Sequence, residues 1–178
     1  MNILCYGDSN TFGYDPRGYF GGRYDKPWPQ LLAEKSGWNV ENLGENGQEI
    51  PQFPVKFPEN TDMLVIMLGT NDLLQGNSAE TVERRMEAFL KGNGPEREKL
   101  LLIAPPPMKQ GTWVPMLSLI EASKELAQAY QALSQRLGVR FANAGEWNIS
   151  LAFDGVHFTE EGHKAFALAL AHYLNKGE

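Results

Sequence analysis

Four short polar clusters in this chain carry residue types that can attack a carbonyl and stabilise the charge that follows. They are Gly7-Asp8-Ser9-Asn10, Gly44-Glu45-Asn46-Gly47, Gly69-Thr70-Asn71-Asp72 and Asp154-Gly155-Val156-His157. Two residues separate Asp154 from His157, so a tight turn lets the carboxylate accept the imidazole Nδ1 hydrogen bond and leaves Nε2 free as a base. Serine needs that help because its hydroxyl is a weak nucleophile at neutral pH, and the same imidazole can later protonate the leaving group. Negative charge developing on the carbonyl oxygen needs preorganised donors. The backbone N–H of Ser9, the backbone N–H of Gly47 and the Asn71 side chain could supply three. Glycine at position 47 would let backbone approach closely with no side chain between.

Each cluster also has a plainer reading. Asp8, Ser9, Asn10, Asn71 and Asp72 are good helix caps, residues 44–47 form an ordinary turn, and His157 could be a satisfied interfacial histidine. Their joint occurrence, in order and each at the end of a different apolar run, is what favours chemistry.

Those runs are residues 3–6, 38–43, 63–68, 100–104 and 139–142. The third and fourth are apolar at both alternating positions, which predicts strands buried on two faces. Helical spacing fills the intervals at residues 29–35, 79–90, 115–137 and 160–174. The longest repeats Leu119, Ser123, Leu126, Tyr130, Leu133 and Leu137 and stops at Gly138. Regular alternation predicts a three-layer α/β/α fold with a five-stranded parallel sheet. With strand order 2-1-3-4-5, ligands bind beyond the carboxyl ends where the order reverses, and Ser9 and Asn71 face one another there.

At 178 residues the chain is expected to be one domain, 1–178, with a core that needs no staples. Sixteen Lys and Arg against 22 Asp and Glu give a net charge of -6 and argue against a nucleic-acid partner. The one cysteine, Cys5, lies in the first apolar run and reads as a small core residue, so neither a disulfide nor a cysteine metal site is expected. No signal-like or membrane-length apolar segment is present, and a cytoplasmic protein is expected.

The four clusters together resemble the blocks of the SGNH hydrolases, also called the GDSL esterase/lipase family, and are most similar to its small bacterial arylesterase and acyltransferase branch. The resemblance spans nearly the whole chain. It implies a flavodoxin-like SGNH fold, Ser9 as nucleophile, Asp154 and His157 as its partners, and an oxyanion hole of Ser9, Gly47 and Asn71. Either Gly44 or Gly47 fits the glycine block, and the late position in the turn favours Gly47. The first block reads GDSN instead of GDSL, a change beyond the serine that is expected to leave the mechanism untouched. No G-x-S-x-G elbow occurs, which argues against the ordinary α/β-hydrolase fold.

The activity so implied is a serine esterase acting on short-chain acyl or acetyl esters through an acyl-enzyme, with no metal or organic cofactor, a small-molecule ester as substrate and no membrane partner. Carbohydrate O-deacetylase, thioesterase or lysophospholipase, and acyltransferase are the alternatives, with a catalytically silent binding module outside the enzymes. His163 is expected on a helix face or at a cap. The loop after Ser9 holds Phe12, Tyr14, Tyr19, Phe20, Tyr24 and Trp28, suited to stacking on a sugar or aryl group, to internal packing, or to the interface of a homo-oligomer. A second loop, residues 105–114, has Gly111 and Trp113 and could form a partial lid.

Overall fold

The computed structural model describes residues 1–18, 21–92 and 96–176. Along the chain, β1 (Asn2–Gly7) leads into α1 (Ser9–Phe12), an antiparallel pair β2 (Tyr14–Asp15) and β3 (Gly22–Arg23), α2 (Trp28–Ser36) and β4 (Asn39–Gly44). The rest runs β5 (Met63–Met67), α3 (Thr70–Leu74), α4 (Ala79–Gly92), β6 (Leu100–Ala104), α5 (Leu117–Leu137), β7 (Arg140–Asn143) and α6 (Glu160–Asn175). Five strands form one parallel sheet in the order β4-β1-β5-β6-β7. Counted among themselves, these strands stand in the expected order 2-1-3-4-5.

Every residue of β5 and β6 is buried, and the period of two sorts them into two cores. Leu64, Ile66, Leu100 and Leu102 face α4 and α5, against Val82, Met86, Leu126 and Leu133. Met63, Val65, Leu101 and Ile103 face α2 and α6, against Trp28, Leu32, Phe166 and Leu170. Each such side chain contributes roughly 1.5–3 kcal/mol when fully buried, so a strand apolar on both faces is stable only between two helical layers. Cys5 belongs to the second core, where burial pushes its thiol pKa well up.

The α5 stripe is buried at Ser123, Leu126, Tyr130, Leu133 and Leu137, and left-handed Gly138 closes the helix by donating its N–H to the Ser134 carbonyl. Leu119 is only partly buried beside that core. The helix starts at Leu117, two residues later than its periodicity predicts, because Met116 is extended. The second strand lies one residue later than its apolar run, since Trp38 packs into the α2 and α6 core. Because all five strands are parallel, their carboxyl ends and the loops after them lie on one edge of the sheet.

Candidate active site

The nucleophile candidate sits where β1 turns into α1. Asp8, not Ser9, caps that helix: its Oδ1 accepts the Asn10 N–H at 2.9 Å, and its carbonyl accepts from the amides of Thr11 and Phe12. The Ser9 hydroxyl is therefore free of capping and lies 3.0 Å from His157 Nε2. Its backbone N–H occupies the first helical position, where no intrahelical acceptor exists. Asp8 is buried, and that burial pushes its carboxyl up to about 6.

Asp154 organises the histidine turn from within. One carboxylate oxygen accepts the backbone N–H groups of Val156 and His157, each at 2.9 Å, and the other accepts from His157 Nδ1 at 2.6 Å. Burial raises the carboxyl pKa, but these bonds from His157 and Val156 outweigh it and hold the group below its ordinary value. An ionised Asp154 fixes the proton on Nδ1, so Nε2 is the acceptor facing Ser9. Asn10 also reaches this turn: its Nδ2 donates to the Val156 carbonyl at 3.1 Å and its Oδ1 accepts from Phe158 N–H at 2.8 Å.

The glycine turn follows β4 on one side of β1, and Asn71 follows β5 on the other. Gly44 is pressed against α1: a Cβ there would lie 2.1 Å from the Phe12 nitrogen, and the Gly44 N–H donates to Asn42 Oδ1 at 2.9 Å. Gly47 differs. A Cβ there would meet nothing within 4 Å, and its glycine serves a left-handed backbone, φ 75°, where the sequence suggested close approach. Asn71 Nδ2 donates to the Gln48 carbonyl at 3.1 Å, which ties the amide to that turn and leaves its second N–H for another acceptor. Behind it, fully buried Asp72 accepts from Ile50 N–H at 3.1 Å and from Arg85 at 2.8 Å, and Arg85 also pairs with Glu49. Asp72 thus anchors the segment after the glycine turn.

Two aromatic rings flank His157: Tyr14 at 4.6 Å between centroids and Trp113 at 5.0 Å. Trp113 rides on a strap, residues 109–114, bonded to the histidine turn through the amides of Lys109, Thr112 and Trp113, which donate to the carbonyls of Gly155, Phe153 and Asp154. This segment, expected as a partial lid, is held by its backbone. Of the other aromatics in the first loop, Phe12 lies under Arg23, Tyr24 packs on His163, and Trp28 is fully buried on Phe166. Tyr19 and Phe20 lie outside the described residues. His163 lies on the buried face of α6: its Nδ1 accepts Trp28 N–H at 3.2 Å, it is fully buried, and burial lowers it to about 4.

A cleft of about 610 Å³ lies between residues 51–54 and α4, and its lining contains none of Ser9, Asn71 and His157. Among the described residues, no group of three or more His, Cys, Asp or Glu could hold a metal ion, and no helix is long and apolar enough to cross a membrane.

The sequence reading missed two parts of this arrangement. Asn10 was expected as a helix cap and as a change that leaves the mechanism untouched, and its signal is an amide where a buried apolar residue would suit the position. The Asp72–Arg85 pair joins residues 13 apart on two helices and has no local spacing signature.

Comparison with known proteins agrees with the geometry. A family model described as "GDSL-like Lipase/Acylhydrolase family" matches residues 5–165. No curated protein sequence matches. The solved aryl esterase of M. Smegmatis is 25% identical, with 98% of each chain covered and a TM-score of 0.79. A carbohydrate acetylesterase family member from Sinorhizobium meliloti is also 25% identical, covering 99% of this chain and 98% of its own, with a TM-score of 0.81.

Proposed function

The chain belongs to the GDSL-like lipase/acylhydrolase family, and on that premise we propose that it is a serine esterase that cleaves short-chain acyl or acetyl esters of small alcohols. The observation that carries this reading is the run of two short hydrogen bonds from Asp154 to His157, 2.6 Å, and from His157 to Ser9, 3.0 Å. Ser9 Oγ attacks the ester carbonyl carbon while its proton passes to His157 Nε2. The oxyanion is received by the N–H groups of Ser9 and Gly47 and by Asn71 Nδ2. Collapse breaks the bond to the alcohol oxygen, which leaves with the proton from Nε2. Water then attacks the acyl-enzyme, gives its proton to Nε2, and the carboxylic acid departs as that proton returns to Ser9 Oγ.

Gly47 is preferred to Gly44 as donor because the Gly44 N–H is already engaged by Asn42. Tyr14 and Trp113 beside His157 favour an alcohol with a flat or ring-shaped face, and the carbohydrate acetylesterase of similar fold makes acetylated sugars the second substrate class to test. The test is labelling of wild type and Ser9→Ala with a fluorophosphonate, followed by kcat/KM for p-nitrophenyl esters from acetate to decanoate and for acetylated sugars. Labelling at Ser9 with highest turnover of short acyl groups is expected. An unlabelled wild type would leave only a silent binding module, and a rise in turnover through decanoate would favour the lysophospholipase alternative.

A further inference from the structure

The sheet does not by itself bring the two halves of the proposed relay together. Ser9 follows β1, whereas the histidine turn lies after β7, and β5 and β6 stand between those strands. Three hydrogen bonds join Ser9 and Asn10 to residues 156–158: the Ser9–His157 bond and the two made by Asn10. The Asn10 bonds grip the backbone on either side of His157, at the Val156 carbonyl and the Phe158 amide. Asn10 is 4% exposed, adjacent to Ser9, and its own N–H is held by Asp8.

We infer that Asn10 is a positioning residue that sets the Ser9–His157 distance by locking the histidine turn onto the nucleophile helix. The side chain fits this task because a carboxamide presents one acceptor and one donor in a fixed plane, and both are used in opposite senses on one short segment. Asp154 shapes the turn and the strap residues 109–114 hold its outer face. None of these hydrogen bonds involves α1. Without Asn10, a buried carbonyl and a buried amide lose their partners, and the turn moves relative to Ser9 to find new ones. An error approaching 1 Å at reacting atoms can lower a rate about a hundredfold.

The inference rests on the esterase reading, and its test separates the two. Wild type, Asn10→Leu and Asn10→Asp are compared for turnover of p-nitrophenyl acetate and for the rate of inactivation by a fluorophosphonate. Asn10→Leu keeps the number and branching of the side-chain heavy atoms and removes both bonds. It is expected to lower kcat and the inactivation rate together by about tenfold to a hundredfold, with KM changed by less than about threefold.

Asn10→Asp keeps the acceptor for Phe158, but as a carboxylate it opposes the Val156 carbonyl. Once protonated, it offers a donor and an acceptor like the amide. The ratio of its kcat/KM to that of wild type is therefore expected to rise as pH falls from 8 to 5.5, a response that simple loss of packing would not produce. Asn10→Leu with kcat and inactivation rate within twofold of an active wild type overturns the inference, as does a pH-independent Asn10→Asp ratio if Asn10→Leu fails to fold. A wild type that neither turns over the ester nor is inactivated overturns the esterase reading and this inference with it.

Discussion

The two sides of Ser9 are built on different principles. On the proposed proton-transfer side, Asp154, His157 and Asn10 are at most 4% exposed, and both ring nitrogens of His157 already have partners within the protein. On the donor side, Gly47 is exposed, Asn71 is half-buried, and the amide spends one of its two hydrogens on Gln48. In the proposed reaction, groups that shuttle a proton must keep one geometry throughout, and these are the ones satisfied in advance. Groups that receive an oxyanion must keep hydrogens in reserve until the charge arrives. The difference is what the proposed division of roles requires.

The contrast makes its largest demand on Ser9→Ala. Removing the hydroxyl while Asp8 still caps α1 is expected to lower ester turnover by about ten-thousandfold or more with an unchanged thermal midpoint. Turnover near wild type would dissolve the proton-transfer side altogether. Asn71→Ala comes next. Loss of one reserve donor is expected to lower kcat about a hundredfold to a thousandfold, with a smaller effect on KM. If KM rose and kcat held, Asn71 would be binding the ground state and the donor side would need another occupant.

The sequence made these two sides legible to different degrees. The sheet was readable because β5 and β6 are apolar at both alternating positions, which no one-sided strand permits. Ser9 and Asn71 were singled out because each stands just beyond an apolar run, and Asp154 and His157 because two residues separate them, a spacing that suits a tight turn. Short elements were not: α1 and α3 have four and five residues, too few to display a period. Asn10 and Asp72 were also hidden, since their partners are distant in sequence and hydrogen bonding to backbone leaves no pattern of residue types at the other end. Gly47 was preferred for its late position in the turn, and close approach was the reason given for a glycine there, whereas its left-handed backbone angle is what calls for glycine.

Beneath the proton-transfer side, two buried groups titrate against one another. Burial raises Asp8 from 3.8 to about 6, so between those pH values the folded state holds more protons than the unfolded chain, and stability falls as pH rises. Burial lowers His163 from 6.5 to about 4, so in nearly the same window the unfolded chain holds more, and stability rises with pH. Each corresponds to roughly 3 kcal/mol, and wild type is expected to show little net slope from these two groups between pH 4 and 6.5. Asp8→Asn keeps a capping side chain and leaves the His163 slope alone. Its midpoint relative to wild type should rise by about 6–12 °C from pH 4 to 6.5, measured by thermal unfolding across that range. His163→Gln should show the opposite trend, and parallel curves for all three proteins would remove the compensation.

The smallest expected effect tests a wall that belongs to neither side. Trp113 has a fixed backbone and a free face: its N–H donates to the Asp154 carbonyl at 3.1 Å, while the residue is 50% exposed beside His157. Stacking between aromatic rings contributes about 0.5–1.5 kcal/mol beyond area burial, a factor of roughly two to ten in kcat/KM. Trp113→Ala should therefore reduce kcat/KM by that factor for phenyl acetate and leave ethyl acetate nearly unchanged, because ethanol offers no ring to stack. The alanine retains the amide that donates to Asp154, so the turn keeps its bond. Equal losses on both esters would show that the ring matters by bracing the histidine turn, which would move Trp113 onto the proton-transfer side. A loss confined to the aryl ester would leave it as a contact for the leaving alcohol, carried on a backbone that the site has already made rigid.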